Sequence, residues 1–207
     1  MLTTYPEAMT MRDARKVYFE TNGFGETGGY DEAWVDFKLG PIPMPFPNTK
    51  ARVEAVRYHD LHHLLTGYDT DIVGELEISA WELAAGCKSY SAAWVLNLAG
   101  ATAGMLRAPG RVFAAFVRGR GQQTTYGEDL ETVLGMTVGE ARRRFTRAAG
   151  AARRATLADV LLFAATVATG LVVLLILLVV VVPLVPFGLL AHATRQRRAA
   201  PGAPARG

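Results

Sequence analysis

The stretch RYHDLHHLLTGYDTDIVGELEISAWEL, Arg57 to Leu83, carries three of the four histidines of this 207-residue chain. His59 and His63 are four residues apart, so on a helix they share a face. Two imidazoles at that spacing make a ready bidentate metal site. Asp60 places a carboxylate beside the pair. Val53, Val56, Asp60 and Leu64 fall on the inward stripe of the same helix, so Asp60 sits where burial is expected. A buried unpaired carboxylate is costly, and a divalent cation removes that cost. Glu75 lies too far along the chain to reach His63 on one continuous helix. The Gly67-Tyr68 turn lets the chain reverse, so that a second helix presents Glu75 to the first. The spacing therefore predicts a site between two helices, built from His59, Asp60, His63 and Glu75. Its mixed nitrogen and oxygen donors suit zinc, with iron, manganese or cobalt compatible. His62 points to an outer position or to the surface. Asp69 and Asp71 either support the ligands from behind or cap the second helix.

Working outward, the neighbouring segments read mostly as helices. Asn48 is a good N-cap for a helix over residues 49–66, and Gly67 a good stop. Asp69 or Thr70 can cap the second helix, which runs to about residue 85 before Gly86. YSAAWVLNLAGATAGML, Tyr90 to Leu106, is rich in small residues and contains Asn97 and Thr102, which marks it as a core helix rather than a membrane span. RVFAAFVRGRG is a short helix with a basic end. Thr137-x-x-Glu140 resembles a capping box. Upstream, residues 8–21 have helical character and stop before Asn22-Gly23. AWVDFKLGPIPMPFP, Ala33 to Pro47, places proline at every second position from Pro41, which no helix tolerates. An extended arm crossing the domain surface is the plain reading, and a proline-rich ligand for a partner is the other.

The carboxy-terminal part is different in kind. Val160 to Ala191 contains no charged residue, and its centre is GLVVLLILLVVVV, Gly170 to Val182. About 20 apolar residues cross a bilayer, so this run suffices for one crossing. Pro183 and Pro186 are expected to kink or end it. Arg142, Arg143, Arg144, Arg147, Arg153 and Arg154 precede it, and Arg195, Arg197 and Arg198 follow. That bias puts the amino-terminal domain on the cytoplasmic side, a re-entrant hairpin being the alternative. Four parts are expected: an amino-terminal helix and Gly/Pro-rich arm over 1–47, a helical metal-binding domain over 48–156, a transmembrane segment over 157–192, and a basic disordered tail over 193–207. One cysteine, Cys87, excludes an intramolecular disulfide. The net charge of +3 is small, and the basic excess lies beside the apolar block, which points to a membrane and not to nucleic acid.

The signature His-Asp-x-x-His, eleven residues, then Glu resembles that of the coenzyme Q biosynthesis protein 4 family. Here it reads HDLHH at 59–63, LLTGYDTDIVG at 64–74, and Glu75. GRGQQTTYGEDLETVLGMTVGEARRR, Gly119 to Arg144, is similar to the family's later portion more loosely. The resemblance covers roughly residues 45–147. It implies an all-α fold, a zinc-type metal at the signature residues, and association with the membrane. It implies binding of a polyprenylated quinone precursor and partnership with other quinone-biosynthesis enzymes. It also implies oxidative decarboxylation of a prenylated aromatic ring, with hydroxyl replacing the ring carboxylate. The apolar carboxy-terminal run and the proline-rich arm depart from the family pattern. A non-catalytic lipid-binding scaffold and a metal-dependent lipid hydrolase are the competing functions, and the oligomeric state, monomer or homodimer, is left open. HExxH peptidase chemistry fits poorly because the residue after His59 is Asp. HD-type phosphohydrolase chemistry fits poorly because no histidine precedes His59.

Overall fold

The computed structural model describes residues 5–35, 38–39, 42–43, 45–146 and 153–199. Helices dominate it, in agreement with the all-α expectation. Helix α1 spans Met11–Asn22. A Gly-rich loop leads to four two-residue strands: β1, Trp34–Val35; β2, Lys38–Leu39; β3, Ile42–Pro43; and β4, Phe46–Pro47. Trp34 pairs with Pro47 and Lys38 with Pro43, both antiparallel. The proline-rich arm is thus not a simple extended crossing. It folds back on itself, and a two-stranded ladder accepts prolines because each strand has one unpaired edge.

Helix α2, Lys50–Thr66, is capped by Thr49 rather than Asn48, and ends at Gly67 with φ 75°. Helix α3, Ile72–Ala85, is capped by Asp71, one residue beyond Thr70. Helices α4, Ser91–Arg107, and α5, Pro109–Gly119, follow. Short helices α6, Leu130–Gly135, and α7, Val138–Phe145, complete the domain. The expected capping box is present at the start of α7, where Thr137 and Glu140 cap each other's backbone.

Two apolar clusters share α2 between them. Met11, Ala14, Tyr18 and Phe19 of α1 pack with Leu61, Leu64, Val133, Val138 and Phe145. Ala55 and Tyr58 face the other cluster, with Ile78, Trp81, Ala101, Val112 and Phe116. Helix α1 therefore packs against α2, α6 and α7. Burial on both flanks leaves α2 little freedom to rotate, and residues 60–66 are all buried.

Helix α8, Leu157–Val181, passes through a short 3-10 turn at Val182–Leu184 into α9, Val185–Ala199. The prolines bend the run into that turn without ending it. The first seven residues of the expected disordered tail are helical; 200–207 lie outside the described residues. Leu157–Leu190 is long and apolar enough to cross a membrane. At 1.5 Å per residue its 34 residues extend about 50 Å, against the roughly 30 Å of a hydrocarbon core. Part of its surface packs on the rest of the protein. Phe163 inserts between Phe113 and Phe116 of α5, and Gly170 lies against Leu98 and Thr102 of α4. The less exposed residues Phe163, Thr166, Val167, Gly170, Val173, Leu174, Leu177, Val181, Val185 and Gly188 fall on one helical stripe. One stripe of α8–α9 thus faces the protein, and the remaining faces are exposed and apolar. Helix α4 packs between α3 and α8, as a core helix should.

Candidate metal centre

Two glycines bring the ligands together. Gly67 takes the left-handed conformation that ends α2. At Gly74 a Cβ would strike the backbone carbonyl of Asp69, so only glycine lets α3 start this close to the reversal. The next residue is Glu75. Its Oε2 lies 3.2 Å from His59 Nε2 and its Oε1 lies 3.3 Å from His63 Nε2. The two Nε2 atoms are 3.2 Å apart. His59, His63 and Glu75 form a group that could hold a metal ion. Two ligands of one tetrahedral zinc, each bonded at about 2.05 Å, stand about 3.3 Å apart. The separations here match that edge length.

The far sides of both rings are committed. His59 Nδ1 lies 2.7 Å from Glu82 Oε1, and His63 Nδ1 lies 2.9 Å from the Tyr68 carbonyl oxygen. Both partners can only accept, so both Nδ1 atoms carry hydrogen. In the neutral rings, both Nε2 lone pairs then face one another and the Glu75 carboxylate. Acceptors this close need a cation between them, either a proton or a metal ion. Burial disfavours charge on His59, but Glu82 and Glu75 outweigh it and hold its pKa well above the ordinary histidine range. Burial likewise opposes ionisation of Glu75, yet hydrogen bonds from His59 and His63 lower its pKa to about 2.

Asp60 does not join this group. It is buried as its stripe position implied, but it accepts a 2.5 Å hydrogen bond from Tyr30 in the loop after α1. Burial raises its pKa despite the neighbouring His59. Three of the four expected ligands converge, and the fourth is held by another partner. His62 takes the outer position and not the surface one, standing behind the ligand group on the same Glu82 oxygen as His59. It is fully buried, donates from Nδ1 to Glu82 Oε1 at 2.7 Å, and accepts at Nε2 from the Thr125 backbone at 2.9 Å. Burial pulls its pKa below the ordinary histidine value in spite of Glu82.

Glu82, Tyr30 and Tyr18 were not foreseen. Glu82 had a legible signal, since it follows Glu75 by seven residues and so shares a face of α3. Tyr18 stacks on His63 with centroids 5.6 Å apart and an interplanar angle of 26°. It and Tyr30 come from α1 and its loop, and no local pattern links them to the motif. Of the aromatic residues near the motif, Trp81 and Tyr58 are core, and Tyr68 borders a cavity of about 330 Å³ beside His63. Tyr5, Tyr18, Asn22, Asp69 and Asp71 also line it. Asp71 caps α3 through the Gly74 backbone N–H. The Glu75 side chain is 44% exposed, so the centre is open on one side. No family model, curated protein or solved structure matches this chain.

Proposed function

We propose that the chain is a membrane-anchored metal protein of ubiquinone-type quinone biosynthesis, acting in oxidative decarboxylation of a prenylated aromatic-ring intermediate. The observation that carries the metal assignment is the convergence of His59 Nε2, His63 Nε2 and the Glu75 carboxylate at 3.2 to 3.3 Å, with both Nδ1 atoms already bonded. Zinc suits two imidazoles and one carboxylate with a fourth position open, the arrangement of catalytic rather than closed structural sites. A divalent ion there supplies Lewis acidity toward a ring carboxylate and an adjacent oxygen. The oxidant needed to replace carboxylate by hydroxyl comes from outside this chain. The pathway assignment rests on the resemblance of the HDLHH-x11-Glu signature to the coenzyme Q biosynthesis protein 4 family. Helix α8 supports the anchor, and the excess of arginines before it favours a cytoplasmic domain. An anchored enzyme suits a polyprenyl substrate that stays in the bilayer.

A non-catalytic scaffold that binds the lipid and partner enzymes is the second reading. It is favoured by the way the ligand group ties α2 to α3, which is what a structural ion does. The first test is the metal content of purified wild type against His63→Ala, with circular dichroism in parallel. About one divalent ion per chain, lost in the variant with helicity retained, supports the centre. No metal in wild type purified without chelators removes the metalloenzyme reading. Glu75→Gln then separates the two functions. A catalytic centre loses turnover of a prenylated hydroxybenzoate with the fold intact, whereas a structural centre loses fold and partner binding together.

A further inference from the structure

We infer that Glu82 is the positioning residue of the metal centre, fixing His59 in the one tautomer that aims its Nε2 lone pair at His63 and Glu75. The inference rests on the metal reading above and adds a residue outside the signature. The Glu82 side chain is fully buried and accepts four hydrogen bonds. Oε1 takes those of His59 Nδ1 and His62 Nδ1, both at 2.7 Å. Oε2 takes those of Asn97 at 2.5 Å and the Tyr126 hydroxyl at 2.6 Å.

Three of these donors hold Glu82 independently of His59. His62 can offer only its Nδ1 hydrogen, because its Nε2 already accepts from the Thr125 backbone. Asn97 comes from α4, and Tyr126 from the loop between α5 and α6. The carboxylate is therefore pinned by α2, α4 and that loop, and His59 is oriented by it. A carboxylate behind a ligating imidazole also makes the ring a better donor to the metal. The arrangement explains how a bare carboxylate is tolerated in the core. A dication one imidazole away would balance its charge, since isolated buried charge is otherwise expensive.

Glutamine has nearly the same shape but lacks the charge. Its oxygen would stay toward His59 and His62, because His62 cannot exchange its donor, while Asn97 and the Tyr126 hydroxyl can turn to accept from its NH₂. What it removes is the carboxylate charge that holds the proton on His59 Nδ1 and makes Nε2 the better metal donor.

The test measures zinc affinity of the full chain in lipid nanodiscs by chelator competition, for wild type, Glu82→Gln and Tyr126→Phe, with the unfolding midpoint of each. The expected result is a 10- to 100-fold weaker affinity for Glu82→Gln, the range for a residue behind a metal ligand. Tyr126→Phe removes one donor from Oε2 and none from His59, so its affinity stays within about threefold of wild type. An unchanged affinity in Glu82→Gln overturns the positioning role and leaves the metal centre standing. Equal losses in both variants also overturn it, because they mark Glu82 as a structural node only. Failure of wild type to bind zinc sinks the metal reading itself. If Glu82→Gln does not fold, nitrogen NMR of the wild-type histidines decides. His59 protonated on Nδ1 in the zinc-loaded protein supports the assignment, and protonation on Nε2 overturns it.

Discussion

Tyr30 donates its hydroxyl to Asp60 at 2.5 Å, and so draws away from the candidate metal centre a carboxylate that lies in sequence between His59 and His63. The Asp60 side chain leaves the His59–His63 face and enters a pocket closed by the loop after α1. Asp60→Asn is therefore expected to keep its metal, with affinity reduced less than tenfold. Glu75→Gln and His63→Ala remove a direct donor and should lose at least a hundredfold. Chelator competition on the three variants decides the matter. Equal loss in Asp60→Asn and His63→Ala would make Asp60 a ligand after all, with Tyr30 displaced when the ion binds.

The charges around His59 set a pH window for the metal-free protein. Its pKa is held well above the unfolded value of 6.5, so its contribution is complete below pH 6.5 and is lost as pH rises through the folded value. Glu82 behaves in the opposite sense. Burial opposes its ionisation, but His59 and His62 hold its pKa well below the unfolded 4.5, so its contribution is complete above pH 4.5 and is lost as pH falls through the folded value. The His59 and Glu82 contributions to the metal-free protein are therefore both complete between about pH 4.5 and 6.5. A metal bound as proposed would replace the proton on His59 Nε2. The alkaline decline should then disappear on metal loading, and metal affinity should climb with pH above neutrality. Thermal unfolding with and without zinc across pH 4 to 9 tests both limbs. An alkaline decline that survives zinc loading would show that the ion does not sit on His59.

Much of this centre was readable because its chemistry is local. The four-residue spacing of His59 and His63 and the glycine stop at 67 place the two imidazoles and the reversal that delivers Glu75. What escaped reading comes from distant segments. Asp60 lies on the correct stripe for burial, but only the folded loop reveals that Tyr30 occupies it. The sequence marks His62 as off the ligand face. It does not reveal that Thr125 and Tyr126 close over that flank and bury it. The apolar carboxy-terminal run was legible from its composition alone. Its attachment to α4 was not, because the seam depends on Gly170 meeting Thr102 across a distance of 68 residues in the chain.

That seam gives a steric prediction. A Cβ at Gly170 would collide with the Thr102 hydroxyl and stand 2.5 Å from the Leu98 carbonyl oxygen. Backbone cannot withdraw as a side chain can, so α8 must move away. Close approach through small residues is also how helices pack in lipid, where no hydrophobic force drives them together. Gly170→Val should cost about 1 to 3 kcal/mol and separate α8 from α4. Limited proteolysis in nanodiscs reads this as faster cleavage within residues 153–156, just before α8. A cleavage rate equal to wild type would mean that α8 is not held by this contact.

Two further substitutions on α8 separate its packing role from its lipid-facing role. Phe163 is 6% exposed, wedged between Phe113 and Phe116. Phe163→Ala should lower domain stability by about 3 to 5 kcal/mol without loosening the protein from the membrane. Leu175 is 56% exposed on the opposite kind of surface, with no core partner to lose. Leu175→Arg should leave the domain's unfolding midpoint unchanged. It places a charge near the middle of the run, where the cost in a bilayer is about 2.5 to 3.5 kcal/mol. The wild type should resist extraction by alkaline carbonate, and Leu175→Arg should be partly released. If both proteins are released alike, α8 does not cross the bilayer, and its exposed faces must be covered by protein instead.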